Sequence, residues 1–134
     1  MFREDTIEIR VRYNETDGQG RVHHAQYLNY FERGRVEFMR RMGHDYKALE
    51  ASGVMLVVAE MDVRYFGAAE FDDVLKLTTR VEKAKGARIE HTYSLIREDQ
   101  PDSTKVVTAR SVIASVTRDG KVCRLPRFLK LESS

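Results

Sequence analysis

Residues 17–42 read D-G-Q-G-R-V-H-H-A-Q-Y-L-N-Y-F-E-R-G-R-V-E-F-M-R-R-M, and the rest of the chain is arranged around how this stretch folds. Tyr27, Leu28, Phe31, Phe38, Met39 and Met42, with Gly34 among them, recur at helical spacing, while Glu32, Arg33, Glu37, Arg40 and Arg41 take the other side. The pattern predicts one amphipathic helix of about four turns. Gly43 supplies its stop, and Arg40 and Arg41 in the last turn suit the negative end of the helix dipole. Just ahead stands a carboxylate, Asp17, followed by Gly18 and Gly20, which let the backbone turn sharply.

Free backbone N–H groups at a helix start are oriented donors that hold negative charge developing on an oxygen. An acid facing them is equipped for work on a polarised carbonyl. An aspartate in this position also reads as the cap of a turn or of the helix, and the spacing alone leaves both readings open. On the helix, Glu32, Arg35 and Glu37 are further catalytic candidates, or a solvated face with local ion pairs. His23 and His24 are neighbours whose side chains diverge, with no further ligands nearby, so no metal site is expected.

The flanking segments define the class. Residues 6–13 alternate, with Ile7, Ile9, Val11 and Tyr13 on one side, and predict a half-buried strand. Gly18-x-Gly20 between a strand and a helix superficially suggests a dinucleotide loop, but His23 stands where the third glycine belongs and no βαβ alternation follows. A short second helix is expected over 44–52, ended by Gly53, then a strand over 54–65 whose first half is apolar enough to be covered on both faces. Three long strands follow, over 74–85, 87–97 and 105–117. Lys85-Gly86 forms a tight connection, residues 98–104 with Pro101 a longer one, and Asp119-Gly120 a hairpin into 121–124. On the fourth strand His91 keeps step with Ile89, Tyr93 and Leu95, as a partly buried, hydrogen-bonded histidine would. One long helix with about five antiparallel strands makes an α+β two-layer domain over residues 1–134.

At 134 residues, with 42% hydrophobic and 33% charged residues, the chain has the composition of a globular protein. No apolar run approaches the ~20 residues of a membrane span, so membrane insertion is not expected. The 23 basic and 21 acidic residues are interspersed without a basic stripe, which argues against nucleic-acid binding. No secretory leader is visible, and the single cysteine, Cys123, lacks a neighbouring base; both features point to the cytoplasm and to an inert thiol.

The segment V-R-Y-N-E-T-D-G-Q-G-R-V-H-H-A-Q-Y-L-N-Y-F-E-R-G-R, residues 11–35, resembles the signature of the 4-hydroxybenzoyl-CoA thioesterase-like branch of the hotdog-fold acyl-CoA thioesterases. V-V-A-E-M-D-V-R-Y, F-D-D, R-V-E-K and R-L-P resemble that family's later segments. Thr16, Asp17, Gly20, Val22, His24 and Tyr27 match its motif, whereas Gln26 replaces a common Asn and His23 an often aromatic residue. The resemblance implies a hotdog fold, a five- to six-stranded antiparallel sheet wrapped on the central helix, with the strands in the order first, third, fourth, fifth, second. It implies hydrolysis of an acyl-CoA thioester without metal or cofactor. Asp17 would be base or nucleophile, the backbone N–H groups of His24 and Ala25 would hold the thioester oxygen, and Thr16, Gly20 and Tyr27 would contribute to substrate binding.

The expected partners are the acyl-CoA, a second copy joined along the edge strand at 57–61 (a homodimer, with a tetramer open), and possible exchange with acyl carrier protein. The basic pair Lys85 and Arg88, at the turn between the third and fourth strands, is the expected seat of the coenzyme A phosphates, with the thioester reaching the partner's Asp17. Alternative readings are a hotdog-fold hydratase or dehydratase and a non-catalytic acyl-binding protein.

Overall fold

The computed structural model describes residues 3–97 and 104–130; the expected 98–104 connection lies outside the described residues except for Thr104. Five strands form one antiparallel sheet: β1 (Glu4–Arg10), β2 (Met55–Tyr65), β3 (Val74–Lys85), β4 (Arg88–Arg97) and β5 (Lys105–Val116). Their order is β1-β3-β4-β5-β2, with β2 at an edge, as the resemblance implied. The helices are α1 (Gln26–Arg41) and the short α2 (Tyr46–Ala51), whose first turn is capped by the Asp45 carboxylate accepting from the Ala48 N–H at 2.6 Å. Among the described residues no helix is long and apolar enough to cross a membrane.

α1 lies against the sheet through Tyr27, Tyr30, Phe31, Gly34, Arg35, Phe38 and Met39, all buried. The sequence reading placed Leu28 on this face, yet it is 41% exposed while Tyr30 is 1% exposed. Both lie near the border of the stripe, and the i, i+3, i+4 sequence running through Tyr27 selects Tyr30 and Phe31. The N-terminal half of the helix packs Phe31 among Ile9, Leu75, Leu77, Leu95 and Val107; the C-terminal half packs Phe38 and Met39 among Val81, Ile89, Ile113 and Leu129. Each such side chain removed from water contributes about 1.5–3 kcal/mol before entropy is counted. Gly34 is the point of closest approach. A Cβ built there would sit 2.4 Å from Thr79 Oγ1 and 2.8 Å from Leu77 Cδ2.

Three boundaries differ from expectation. β1 stops at Arg10, and Tyr13 faces solvent instead of the core because residues Tyr13–Glu15 turn as a 3-10 helix, held by the Glu15 carboxylate accepting from the Arg12 N–H at 2.7 Å. Residues 121–124 form a single bridge, Val116 to Val122, and no sixth strand: the chain is drawn off when Leu125 N–H bonds Gly86 O at 2.8 Å, and Pro126 has no N–H to continue a ladder. Lastly, the apolar first half of β2 is not covered on both faces within one chain, with Val57 42% and Val58 49% exposed on the open edge.

Candidate active site

The loop between β1 and α1 is a small hairpin built on Asp17. Asp17 N–H bonds Arg21 O at 2.7 Å, Gly20 N–H bonds Asp17 O at 3.1 Å, and Gly20 adopts a φ of 82° that a side chain would resist. The carboxylate Oδ1 accepts from the N–H groups of Gln19 at 2.8 Å and Arg21 at 3.3 Å. The turn-capping reading is therefore realised, and it uses one oxygen only. Among the described residues no hydrogen bond engages Oδ2, and Asp17 is open to solvent. The hairpin is docked on the fold by Val22 N–H to Ala69 O at 2.8 Å and by His23 N–H to Glu15 O at 3.0 Å.

The helix start then follows. Ala25, the residue before α1, has helical geometry and no side-chain cap. Its N–H points to His23 Nδ1 at 3.2 Å, so of the two donors expected here Ala25 is committed to a neighbour. Among the described residues His24 N–H has no acceptor, while His24 O accepts from the Tyr65 hydroxyl at 3.1 Å; its ring, expected to diverge from His23, instead stacks on it with centroids 4.4 Å apart. One donor without an acceptor among the described residues, and one half-free carboxylate in the hairpin before it, are the chemical content of this segment.

Other expected residues take different places. Thr16 spends its hydroxyl on Tyr13 O at 2.7 Å. Tyr27 is buried, its hydroxyl accepts from the Ala69 N–H at 3.2 Å, holding the loop, and burial raises its pKa. Glu37 ion-pairs with Arg40, and Glu32 is exposed beside Asn29 and Arg33. Arg35 is buried, far from the role of an exposed face. His91 is buried as expected, yet its Nδ1 lacks the expected hydrogen bond.

Lys85 and Arg88 line an open cavity of about 770 Å³ with Lys83, Val112, Ala114 and Val122, at the far end of β3 from the Asp17 hairpin. Twelve residues of β3 at about 3.3 Å each separate the two ends by roughly 36 Å. A single chain does not bring them together.

Two residues escaped the sequence reading. Glu15 ties the hairpin to the helix: Oε1 accepts from Tyr30 Oη at 2.8 Å, and Oε2 from Gln26 Nε2 at 3.3 Å. Burial, and next this carboxylate, raise the Tyr30 pKa well above the usual phenol range. Tyr65 anchors His24 from the end of β2. Glu15 stands two residues before Asp17 in the sequence, but nothing local announces that its partner is a tyrosine fifteen positions on.

Residues 11–131 match the family model described as the thioesterase-like superfamily. The acyl-CoA thioesterase YbgC of Haemophilus influenzae is 39% identical over 93 residues, covering 69% of this chain and 68% of that protein. Among solved structures, a probable thioesterase from Bartonella henselae superposes with a TM-score of 0.84 at 34% identity, over 92% of this chain and 99% of that one. The DHNA-CoA thioesterase of Staphylococcus aureus gives 0.85 at 27% identity, over 92% and 82%. The chain belongs to the thioesterase-like superfamily and has its hotdog fold.

Proposed function

We propose that this thioester hydrolase cleaves acyl-CoA to a carboxylic acid and coenzyme A with Asp17 as its working carboxylate and the start of α1 as its oxygen-holding element. The observation that supports the reading is the asymmetry of Asp17: Oδ1 is fixed by two N–H bonds while Oδ2 accepts none among the described residues, in the hairpin that leads into the helix start and its His24 N–H. Two routes fit. Oδ2 attacks the thioester carbon, the C–S bond breaks, coenzyme A leaves as thiolate, and water then hydrolyses the mixed anhydride. Alternatively Oδ2 takes a proton from water, whose oxygen attacks the same carbon as the thiolate departs. In both, the carbonyl oxygen gains charge that His24 N–H stabilises. The reading requires no metal or cofactor, and it places the reaction in the cytoplasm, which suits the free thiol of Cys123.

The open β2 edge supports a two-fold dimer as the working form. Antiparallel pairing of two β2 strands about their middle sets Tyr65 of one copy, which holds His24, opposite the Met55 end of the other. There Val57, Ala114 and Arg88 lie in one row across β2, β5 and β4. At about 4.8 Å per strand, that row carries the second copy's Arg88 to within roughly 15 Å of the first copy's β2, whose Tyr65 hydroxyl meets His24 at the helix start. Unmodified protein is expected to sediment as a dimer at micromolar concentration, and Val57→Lys with Val58→Lys to sediment as a folded monomer. A monomeric unmodified protein contradicts the assembly. Lys85→Ala with Arg88→Ala is expected to raise KM several-fold at low ionic strength with a smaller change in kcat; an unchanged KM removes the phosphates from this site.

Thiol release across aromatic, short-chain and long-chain acyl-CoAs and acyl carrier protein thioesters tests the function itself. Turnover on the order of 1 per second or faster on at least one is expected. No release from any thioester, with binding retained, leaves the acyl-binding reading; hydration of an enoyl-CoA without release leaves the hydratase.

A further inference from the structure

Three segments around the Asp17 hairpin meet at Glu15. Its backbone carbonyl accepts from the His23 N–H at 3.0 Å, which with the bridge between Thr16 and Val22 closes the stem of the hairpin. Its carboxylate joins that stem to the end of β1 and to α1: Oε1 accepts from the Arg12 N–H at 2.7 Å and from the Tyr30 hydroxyl at 2.8 Å, and Oε2 from Gln26 Nε2 at 3.3 Å. Tyr30 lies in the core with Phe31, Ile9 and Leu75, so the stem is tied to a point that α1 cannot shift without unpacking. Burial keeps the proton on the Tyr30 hydroxyl, and the bond therefore persists across the neutral range. Gln26 is the first residue of α1; its Oε1 accepts from Asn29 Nδ2 at 3.3 Å, which decides that its amino group is the end facing Glu15. Among the described residues, no other side chain of the hairpin, 15–22, hydrogen-bonds α1.

Glu15 is half-buried and both its oxygens are engaged, so it is not itself placed to attack a carbonyl or to take a proton from water. What it governs is orientation. Without its carboxylate the stem keeps its backbone bonds and the contact of Val22 N–H with Ala69 O, but the exposed turn that carries Asp17 is free to tilt about them. A displacement of about 1 Å at a reacting group costs on the order of 100-fold in rate. We propose that Glu15 is a positioning residue for thioester hydrolysis: through Tyr30 and Gln26 it fixes the hairpin that carries Asp17 against the helix start that carries the His24 N–H. The proposal rests on the reading of Asp17 given above.

The test exchanges the two ends of one hydrogen bond. Glu15→Gln keeps an acceptor oxygen for Arg12 N–H and Tyr30 and turns an amino group toward Gln26 Nε2, setting two donors face to face. Adding Gln26→Glu restores the bond with donor and acceptor reversed, still accepts from Asn29, and suits the first turn of a helix. Glu15→Gln is expected to lower kcat about tenfold with KM within about twofold, and the reversed pair to return within about threefold of normal. Combined with Asp17→Asn, Glu15→Gln is expected to change the residual kcat by less than about twofold, because the group it positions is gone. Hydrogen exchange supplies a readout apart from turnover: the N–H groups of Asp17 and Gly20, bonded inside the hairpin, are expected to exchange about tenfold faster in Glu15→Gln while those of β3 are unchanged. Should Glu15→Gln fail to fold, Gln26→Asn, one methylene too short to reach Oε2, takes its place with about a threefold loss that Asp17→Asn again abolishes. Normal kcat and normal hairpin exchange in Glu15→Gln overturn the proposal, as does an equal fractional loss with and without Asp17→Asn, or a reversed pair no better than Glu15→Gln. Near-normal turnover by Asp17→Asn alone overturns the reading of Asp17 instead, and the exchange rates and the reversed pair still decide whether Glu15 holds the hairpin.

Discussion

Asp17→Asn is expected to lower kcat by about 100-fold or more on the best substrate, with fold and assembly unchanged. The substitution is chosen by the hydrogen bonds. Asparagine retains a carbonyl oxygen in place of Oδ1, so the N–H groups of Gln19 and Arg21 keep their acceptor and the hairpin keeps its shape. What changes is Oδ2, replaced by an NH₂ that neither attacks a carbonyl carbon nor takes a proton from water. His24→Ala is expected to cost far less, because its unpaired N–H and the carbonyl that meets Tyr65 both belong to the backbone. Circular dichroism and sedimentation on the same preparation separate lost chemistry from lost structure.

Gly34→Ala is expected to destabilise the protein by about 2 kcal/mol, equivalent to a fall of roughly 8 °C in Tm. In an exposed helix the same change stabilises by about 1 kcal/mol, so the sign is the test. Here the added methyl meets Thr79 Oγ1 at 2.4 Å and Leu77 Cδ2 at 2.8 Å, both on fully buried side chains of β3, and helix or strand has to yield. Since α1 also carries the His24 junction, lifting it off the sheet is expected to reduce kcat. Adding Thr79→Ala, which removes the nearer atom, is expected to restore part of both losses, a coupling that additive effects do not produce. A more stable Gly34→Ala protein shows that the helix is not seated as described.

Much of this architecture is legible in the sequence because it rests on local periodicity. The stripe from Tyr27 to Met39 and the turn glycines mark α1, and β3 runs from Val74 to Lys85 as expected. The errors fall where a distant group decides. Tyr13 continues the alternation of β1, but the Glu15 carboxylate closes a turn on Arg12 and takes the chain out of the sheet. Residues 121–124 look like a strand until Leu125 is claimed by Gly86.

At the site, the Asp17 hairpin is readable from its acid and glycines, whereas two features are not. Nothing in the sequence shows that His23 Nδ1 occupies the Ala25 N–H or that Tyr27 spends its hydroxyl on Ala69. Each depends on which surfaces the fold brings together. The buried Arg35 is the clearest case: i+4 spacing from Phe31 puts it on the core face, yet its charge reads as solvated until Tyr93 and Ser111 are found beneath it.

The central claim is that one carboxylate, at position 17, performs the thioester chemistry. The direct measurement is kcat for coenzyme A release by the unmodified protein, Asp17→Asn and Glu32→Gln, side by side on the same acyl-CoA. The account predicts about 100-fold or greater loss for Asp17→Asn and turnover within a few-fold of normal for Glu32→Gln. Near-normal turnover by Asp17→Asn, or a loss of that size in Glu32→Gln instead, contradicts it.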